Sequence, residues 1–234
     1  MSNVVMTDPT RYPRRSFVYR RLRDAGAVFA DCGDTAVADA FPGRGGLPSR
    51  LALIDLSPLP RIGFKGPQTL EWLSRQAVTI PPQNNRAERQ TDGALAVRWA
   101  DTEVTVLGDI DGRDNTISRL EARTPTGGCY PVPRRDSHAW FVLCGAKAPD
   151  CLQKLCGVDF RLNQFDDLAV AQTSLARLSA QIIRQDHGGI PAFHLLADSA
   201  SALYLWDVLT DAMDEYLGGL AGRAGLRALR EQQP

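Results

Sequence analysis

The sequence predicts an α+β fold of two pseudo-repeated strand–helix–strand–strand halves with antiparallel sheets. Three observations predict it. RIGFKGPQTLEWLSRQAVTI (61–80) and WFVLCGAKAPDCLQKLCGVDF (140–160) each run an apolar segment into a Gly and then into a helix-like segment. Gly66 aligns with Gly145, Leu73 with Leu152 and, after a one-residue slip, Val78 with Val158. Each copy is followed by short apolar runs that suit strands. One such unit has an apolar helix face and an apolar sheet face and cannot bury both alone. Two units related by a pseudo-twofold can share a core, with the helices expected on one side of the sheets.

In chain order, RSFVYRRLRDAGAVFA (15–30) reads as a helix entered at Ser16 and stopped at Gly26, with Phe17, Tyr19, Leu22 and Ala25 apolar. Residues 31–50 are rich in Gly and Pro and read as loop. LALID (51–55) and RIGFK (61–65) suit strands. Gly66-Pro67 opens a helix striped by Leu70, Leu73 and Ala77, because Pro fits a first turn that does not need its missing N–H. ALAVRW (94–99) and TEVTVLG (102–108) form a strand pair. Residues 109–137 are polar and turn-rich. AWFVLCG (139–145) reads as a strand and Pro149 to Leu155 as a helix. VAQTSLARLSAQIIRQ (170–185) fits a helix by propensity and two strands by its paired apolar residues; PAFHLLA (191–197) is a strand. SASALYLWDVLTDAMDEYL (199–217) is a helix with Ser199 as cap, a stripe of Leu203, Trp206, Leu209 and Met213, and Gly218-Gly219 as stop. The expected divisions are a lead-in over 1–50, a first half over 51–109, a linker over 110–137, a second half over 138–220 and a frayed Arg-rich tail over 221–234.

Composition narrows the function. The 234 residues are 44% hydrophobic and 23% charged, which suits a soluble globular chain. The 27 basic and 27 acidic residues cancel, so phosphate neutralisation of nucleic acid is not expected. No apolar run spans a bilayer and no signal peptide is evident, so the chain is expected in the cytoplasm, away from membranes, with its five cysteines reduced. Cys144, Cys151 and Cys156 do not match a zinc pattern: the last two would point about 140° apart on a helix. They read as buried apolar side chains, and no metal is expected. GRGG (43–46) lacks the flanking strand and helix of a phosphate loop. Most basic residues are Arg, which suits carboxylate capture but also follows from GC-rich coding.

LALIDLSPLPRIGFKGPQTLEWL (51–73) resembles the first core segment of the glycine-cleavage T-protein superfamily of aminomethyltransferases. RRSFVYRRLRDAGAVFA (14–30) resembles the lead-in to the folate domain of dimethylglycine and sarcosine dehydrogenases. The stretches 139–165, 171–186 and 193–212 are most similar to the sarcosine oxidase gamma subunit. This resemblance decides for strands over 170–185. It implies a T-protein-like folate domain in one-carbon metabolism, with tetrahydrofolate as the cofactor and no flavin on this chain. The pterin would sit in a central hole held by acidic side chains, with its glutamate tail on basic residues.

Under the resemblance, Asp109 is the catalytic candidate, and Asp109, His187, Gly189, His194 and Arg184 are the folate-binding candidates; Asp101 is a weaker counterpart of Asp109. Each has a plainer reading. Asp109, near Asp111 and Asp114, more readily makes a solvated turn. Asp186, His187 and His194 around a Gly-Gly turn more readily make a polar hairpin than an acid–base pair. Arg14, Arg15, Arg20, Arg21 and Arg23 read as a solvated helix face, and Trp72, Trp99, Trp140 and Trp206 as core anchors. The sequence departs from the family where a Glu is expected to hold the pterin: RQDHGGIPAFHLL offers Ile190 and His194. The chain is also shorter than a full aminomethyltransferase. Two functions follow. One is an accessory, gamma-like partner of larger flavin- or haem-dependent amine-oxidising subunits, linking released formaldehyde to tetrahydrofolate. The other is a free-standing tetrahydrofolate-binding protein that captures the one-carbon unit itself.

Overall fold

The computed structural model describes residues 6–42, 48–113 and 115–231; GRGG and Asp114 lie outside them. Among these residues fourteen strands and six α-helices follow one another. The lead-in holds β1 (Met6–Thr7), α1 (Tyr19–Asp24), β2 (Val28–Asp31) and β3 (Ala36–Ala40), and the three strands pair with one another. Two expectations are corrected here. The helix read over 15–30 stops early and turns into β2, and the stretch read as loop contains β3. Val37 and Ala38 are buried, which gives β3 a core to join.

Then come β4 (Ala52–Asp55), β5 (Arg61–Lys65), α2 (Thr69–Arg75), β6 (Arg86–Arg89), β7 (Leu95–Ala100) and β8 (Glu103–Leu107). The segment 110–137, read as a linker, contains α3 (Thr116–Glu121) and β9 (Tyr130–Pro133). Beyond it lie β10 (His138–Cys144), α4 (Ala148–Gln153), β11 (Val170–Leu175), β12 (Leu178–Arg184), β13 (Ala192–Asp198), α5 (Ala202–Asp214), β14 (Gly219–Leu220) and α6 (Arg223–Glu231).

The two halves share one topology. The first runs β5–α2–β6–β7–β8 and its sheet is ordered β6-β7-β8-β5; the second runs β10–α4–β11–β12–β13 and its sheet is ordered β11-β12-β13-β10. Three strands follow each helix, not the expected two. The lead strands are exchanged. β4, which precedes β5, pairs antiparallel with β10 of the other half, and β9, which precedes β10, pairs with β5.

The repeated glycines sit where the exchange happens. Gly66 and Gly145 have φ of 133° and 118°. A Cβ on Gly66 would lie 2.1 Å from the carbonyl oxygen of Gly128, just before β9. A Cβ on Gly145 would lie 2.3 Å from that of Arg50, just before β4. The amide two residues on donates to the same carbonyl in each copy, Gln68 to Gly128 at 3.4 Å and Lys147 to Arg50 at 2.9 Å. Only Gly allows a backbone carbonyl that close.

Alternation along the strands sets the layers. On β10, Ala139, Phe141 and Leu143 join the cluster under α4 and α5, while Trp140, Val142 and Cys144 face the other sheet. On β7, Leu95, Val97 and Trp99 face inward, and Ala96 joins Phe64, Trp72 and Leu73 under α2 and α3. The order is helices, sheet, sheet, helices. The expectation of helices on one side is corrected: each sheet spends one face on its own helices and buries the other against its twin.

Smaller corrections follow from the same packing. Ala77 has left the α2 helix at φ 54° and is exposed. Leu203 is 51% exposed, and α5 buries Ala202, Leu205, Trp206, Leu209, Ala212 and Met213 instead. Asp198, not Ser199, caps the turn before α5 by accepting from the Ala200 amide at 2.8 Å. The tail read as frayed is α6. Leu226 and Leu229 are buried in the inter-sheet cluster, and Arg223 is buried against Asp39.

Candidate functional site

The candidate site lies where the ends of β8 and β13 approach each other between the sheets. Asp109 follows β8 and is only 2% exposed. Burial overturns the solvated-turn reading. Its Oδ2 accepts from the amides of Asp111 at 3.2 Å and Arg113 at 3.3 Å, and its Oδ1 accepts from Arg230 Nη1 at 2.6 Å. Gly93, at φ 92°, leaves room for that carboxylate: a Cβ there would lie 2.5 Å from Oδ1.

His194 is the inward residue of β13 between Phe193 and Leu195, which face the helices. Trp140 Nε1 donates to His194 Nδ1 at 2.9 Å. An indole N–H can only donate, so Nδ1 is bare and Nε2 carries the proton. That Nε2, and the Nε2 of His187, are buried without a partner among the described residues. Desolvation pulls both imidazoles down to about 3, so both are neutral near pH 7. The two rings stand 6.4 Å apart. His187 is held by a two-residue hairpin in which Gly188 and Gly189 take φ of 56° and 75°, and its amide and carbonyl pair with Ile190.

Asp109, Trp140, His187, His194, Gln185 and Arg230 enclose a cavity of about 10 Å³, room for about one water. Outside it, a recess of about 220 Å³ lies among Arg89, Gln90, Gln185, Asp186, His187 and Arg230. Gly93, Gln185, His187 and Arg230 line both. A fused bicycle such as a pterin does not fit the inner cavity. The recess has more room, but its carboxylate, Asp186, is held by Arg184 at 2.6 Å, and Asp109 lies behind Arg230. The enclosed space at Asp109, His187 and His194 is thus smaller than a pterin with these side chains as they stand.

The sequence candidates thus divide. Asp109, His187 and His194 meet. Arg184 does not join them: it chelates Asp186 and donates to the carbonyls of Leu162 and Phe165. Gly189 shapes the turn, and nothing lies within 4 Å of where its Cβ would be. Asp101 is at the surface, paired with Arg98 at 3.0 Å. Arg14 pairs with Asp34 and Asp136, Arg21 with Asp207 and Arg23 with Asp24, all away from the cavity. Sequence reasoning missed Arg230. Its signal was the spacing Arg223, Arg227, Arg230 with Leu226 and Leu229 between, one ionic and one apolar stripe on a single helix. It also read Trp140 only as a core anchor.

All five cysteines are thiols, and burial pushes Cys144 up to about 12. Among the described residues no group of three or more His, Cys, Asp or Glu could hold a metal, and no helix is long and apolar enough to cross a membrane.

Two twin sheets, each with its own helices and each lending a strand to the other, with a carboxylate and imidazoles at the joint, define the class: a duplicated α+β domain. The chain belongs to the family of GCVT N-terminal domains, whose pattern matches residues 18–233. It is 26% identical over 175 residues to an aminomethyltransferase of Streptomyces coelicolor, covering 70% of this chain and 46% of that protein, so it spans about half of that relative's length. Its fold is similar to the glycine cleavage system aminomethyltransferase T of Bartonella henselae, with a TM-score of 0.69 at 18% identity over 93% of this chain and 62% of that one. It is also similar to a chain of the heterotetrameric sarcosine oxidase of Corynebacterium sp. U-96, solved with pyrrole 2-carboxylate, with a TM-score of 0.65 at 14% identity over 87% of this chain and 96% of that one.

Proposed function

We propose that the protein is an accessory, gamma-like subunit that assembles in the cytoplasm with larger flavin- or haem-dependent subunits oxidising an N-methyl amine. Formaldehyde released there passes to tetrahydrofolate held elsewhere in the assembly. The single observation carrying this reading is the closed joint: Arg230 fills the space before Asp109 and leaves about 10 Å³. A carboxylate already paired with an internal guanidinium is not available to the guanidine-like edge of a pterin. The near-complete match to one whole chain of a heterotetramer supports the same reading.

The recess of about 220 Å³ favours a second reading, a free-standing aminomethyltransferase-like protein that binds tetrahydrofolate and captures the one-carbon unit itself. There Asp109 and His194 would replace the family's carboxylates. Calorimetric titration with tetrahydrofolate separates the two. The accessory reading expects no micromolar heat, and a flavin or haem chromophore in the complex isolated from the native cell. Micromolar binding abolished by Asp109→Ala would overturn it in favour of the second.

A further inference from the structure

We propose that the inner cavity binds one water molecule that joins His194 to His187. It completes a chain of hydrogen bonds running one way across the joint, from Trp140 to His194 to water to His187, and leaves the proton of His187 on Nδ1. Both imidazoles line the cavity. His194 is 1% exposed and His187 5%, and the Nε2 of each is buried and unpartnered among the described residues. Such a group bears its full desolvation cost, whereas a bridging water gives it a bond nearly as good as a direct one. The ring centroids stand 6.4 Å apart, too far for a direct bond between the nitrogens. A water needs roughly 10–15 Å³ and about two to four polar partners. The cavity offers about 10 Å³, the two imidazoles and Gln185.

Trp140 sets the direction. Its Nε1–H can only donate, and His194 Nδ1 accepts it at 2.9 Å, so His194 can only donate from Nε2. The water oxygen takes that hydrogen bond and has two hydrogens of its own to place. Asp109 also lines the cavity, but its carboxylate is already engaged by Arg230 and by the amides of Asp111 and Arg113. The acceptors left on the wall are His187 Nε2 and the side-chain oxygen of Gln185, one for each hydrogen. His187 is neutral, because burial and then the cations Arg230 and Arg89 disfavour its imidazolium. A neutral ring with a bare Nε2 carries its hydrogen on Nδ1. His187 also lines the outer recess, so the chain links the buried Trp140 to a wall of that recess.

The same polarity excludes a cation. A metal ion would need the Nε2 lone pair of His194, and freeing it would move the hydrogen to Nδ1 and break the bond from Trp140. The bridge belongs to the joint itself and is the same whether the chain is an accessory subunit or a folate binder.

Nuclear magnetic resonance of the full-length protein tests it at about pH 8, where free imidazoles are neutral. With three histidines in the chain, two-bond proton–nitrogen spectra of the side chains can be assigned one by one. His194 should be protonated at Nε2 and His187 at Nδ1, and the His194 Nε2 proton should show cross-relaxation with a long-lived water. A His187 protonated at Nε2, or no water signal at His194, would overturn the bridge in wild type without any variant needing to fold. His187→Leu removes the acceptor. His194 should then keep its tautomer and lose the water signal, whereas a surviving signal would show that the water does not depend on His187. Equimolar zinc should leave both rings unchanged; a shift at both Nε2 atoms would make the cavity a metal site instead.

Discussion

Trp140 decides what His194 can be. Because the indole donates to Nδ1, the imidazole is locked in the Nε2–H tautomer and is a fixed donor toward the cavity. Gaining a second proton at Nδ1 would break that bond and place a buried cation in the field of Arg89. His187 is also deeply buried and faces Arg230 as well as Arg89. Both groups are pulled down to about 3 in the folded chain, against about 6.5 when unfolded. Their sign follows. Above about pH 6.5 both states are neutral and stability is at its full value. As pH falls from there toward about 3, the unfolded chain takes up protons that the folded chain refuses, and stability drops. The expected loss between about pH 7.5 and about pH 5 is about 2 kcal/mol per histidine. His138, which burial pulls down to about 4, adds to the same decline, so denaturant midpoints across that range should fall and His194→Asn should remove about a third of the slope. A flat profile in wild type would mean that these imidazoles are solvated.

The repeated Gly–helix elements carry the joint between the halves. At Gly66 and Gly145 an Ala would drive its Cβ into a backbone carbonyl that cannot yield without pulling on β9 or β4. Gly66→Ala and Gly145→Ala should each cost about 2 kcal/mol or more, combining positive-φ strain with the clash. Gly26→Ala is the control: φ is 86° but nothing lies within 4 Å, so about 1 kcal/mol is expected. Equal losses in thermal melts at all three positions would count against the close approach. These elements were legible from their residues, since Gly66, Leu73, Gly145 and Leu152 repeat at one spacing. So were β5, β7, β8, β10 and β13, whose apolar runs are long and alternate. What escaped had physical reasons. β6 is Arg-Ala-Glu-Arg, an edge strand with one buried side chain, Ala87. β9 carries two prolines, which an edge tolerates. The β11–β12 hairpin turns on Ala176 and Arg177, both at positive φ without a Gly to announce it. α6 hid because its charges suggest solvent, and its partners Asp39, Asp109 and Asp111 are remote in sequence. The site was half legible for the same reason: Asp109, His187 and His194 could be named, but the group that closes them in comes from the far end of the chain.

For the whole molecule, strand exchange means that neither half can complete its own fold. β4 belongs to the first half by sequence but lies between β10 and β14 in the second half's sheet, and β9 does the reverse. The inner faces add to this dependence. Leu95, Val97, Trp99 and Leu107 of one sheet and Trp140, Val142, Cys144 and Ile183 of the other are buried together in the cluster between the sheets. A fully buried Leu or Val contributes about 1.5–3 kcal/mol, so separating the sheets exposes more apolar surface than a small domain's net stability of about 5–15 kcal/mol can absorb. Residues 122–124 are exposed and lie between the two exchanged strands, so a cut after Thr124 leaves β4 in one piece and β9 in the other. The fragments 1–124 and 125–234 should each lack a cooperative melt by circular dichroism. Mixed at equal concentration, they should elute as one species near the size of the intact chain and regain a single transition. A fragment that melts cooperatively alone would show that one sheet can bury its inner face without its twin, and the exchanged strands would then be ornament to two independent folding units.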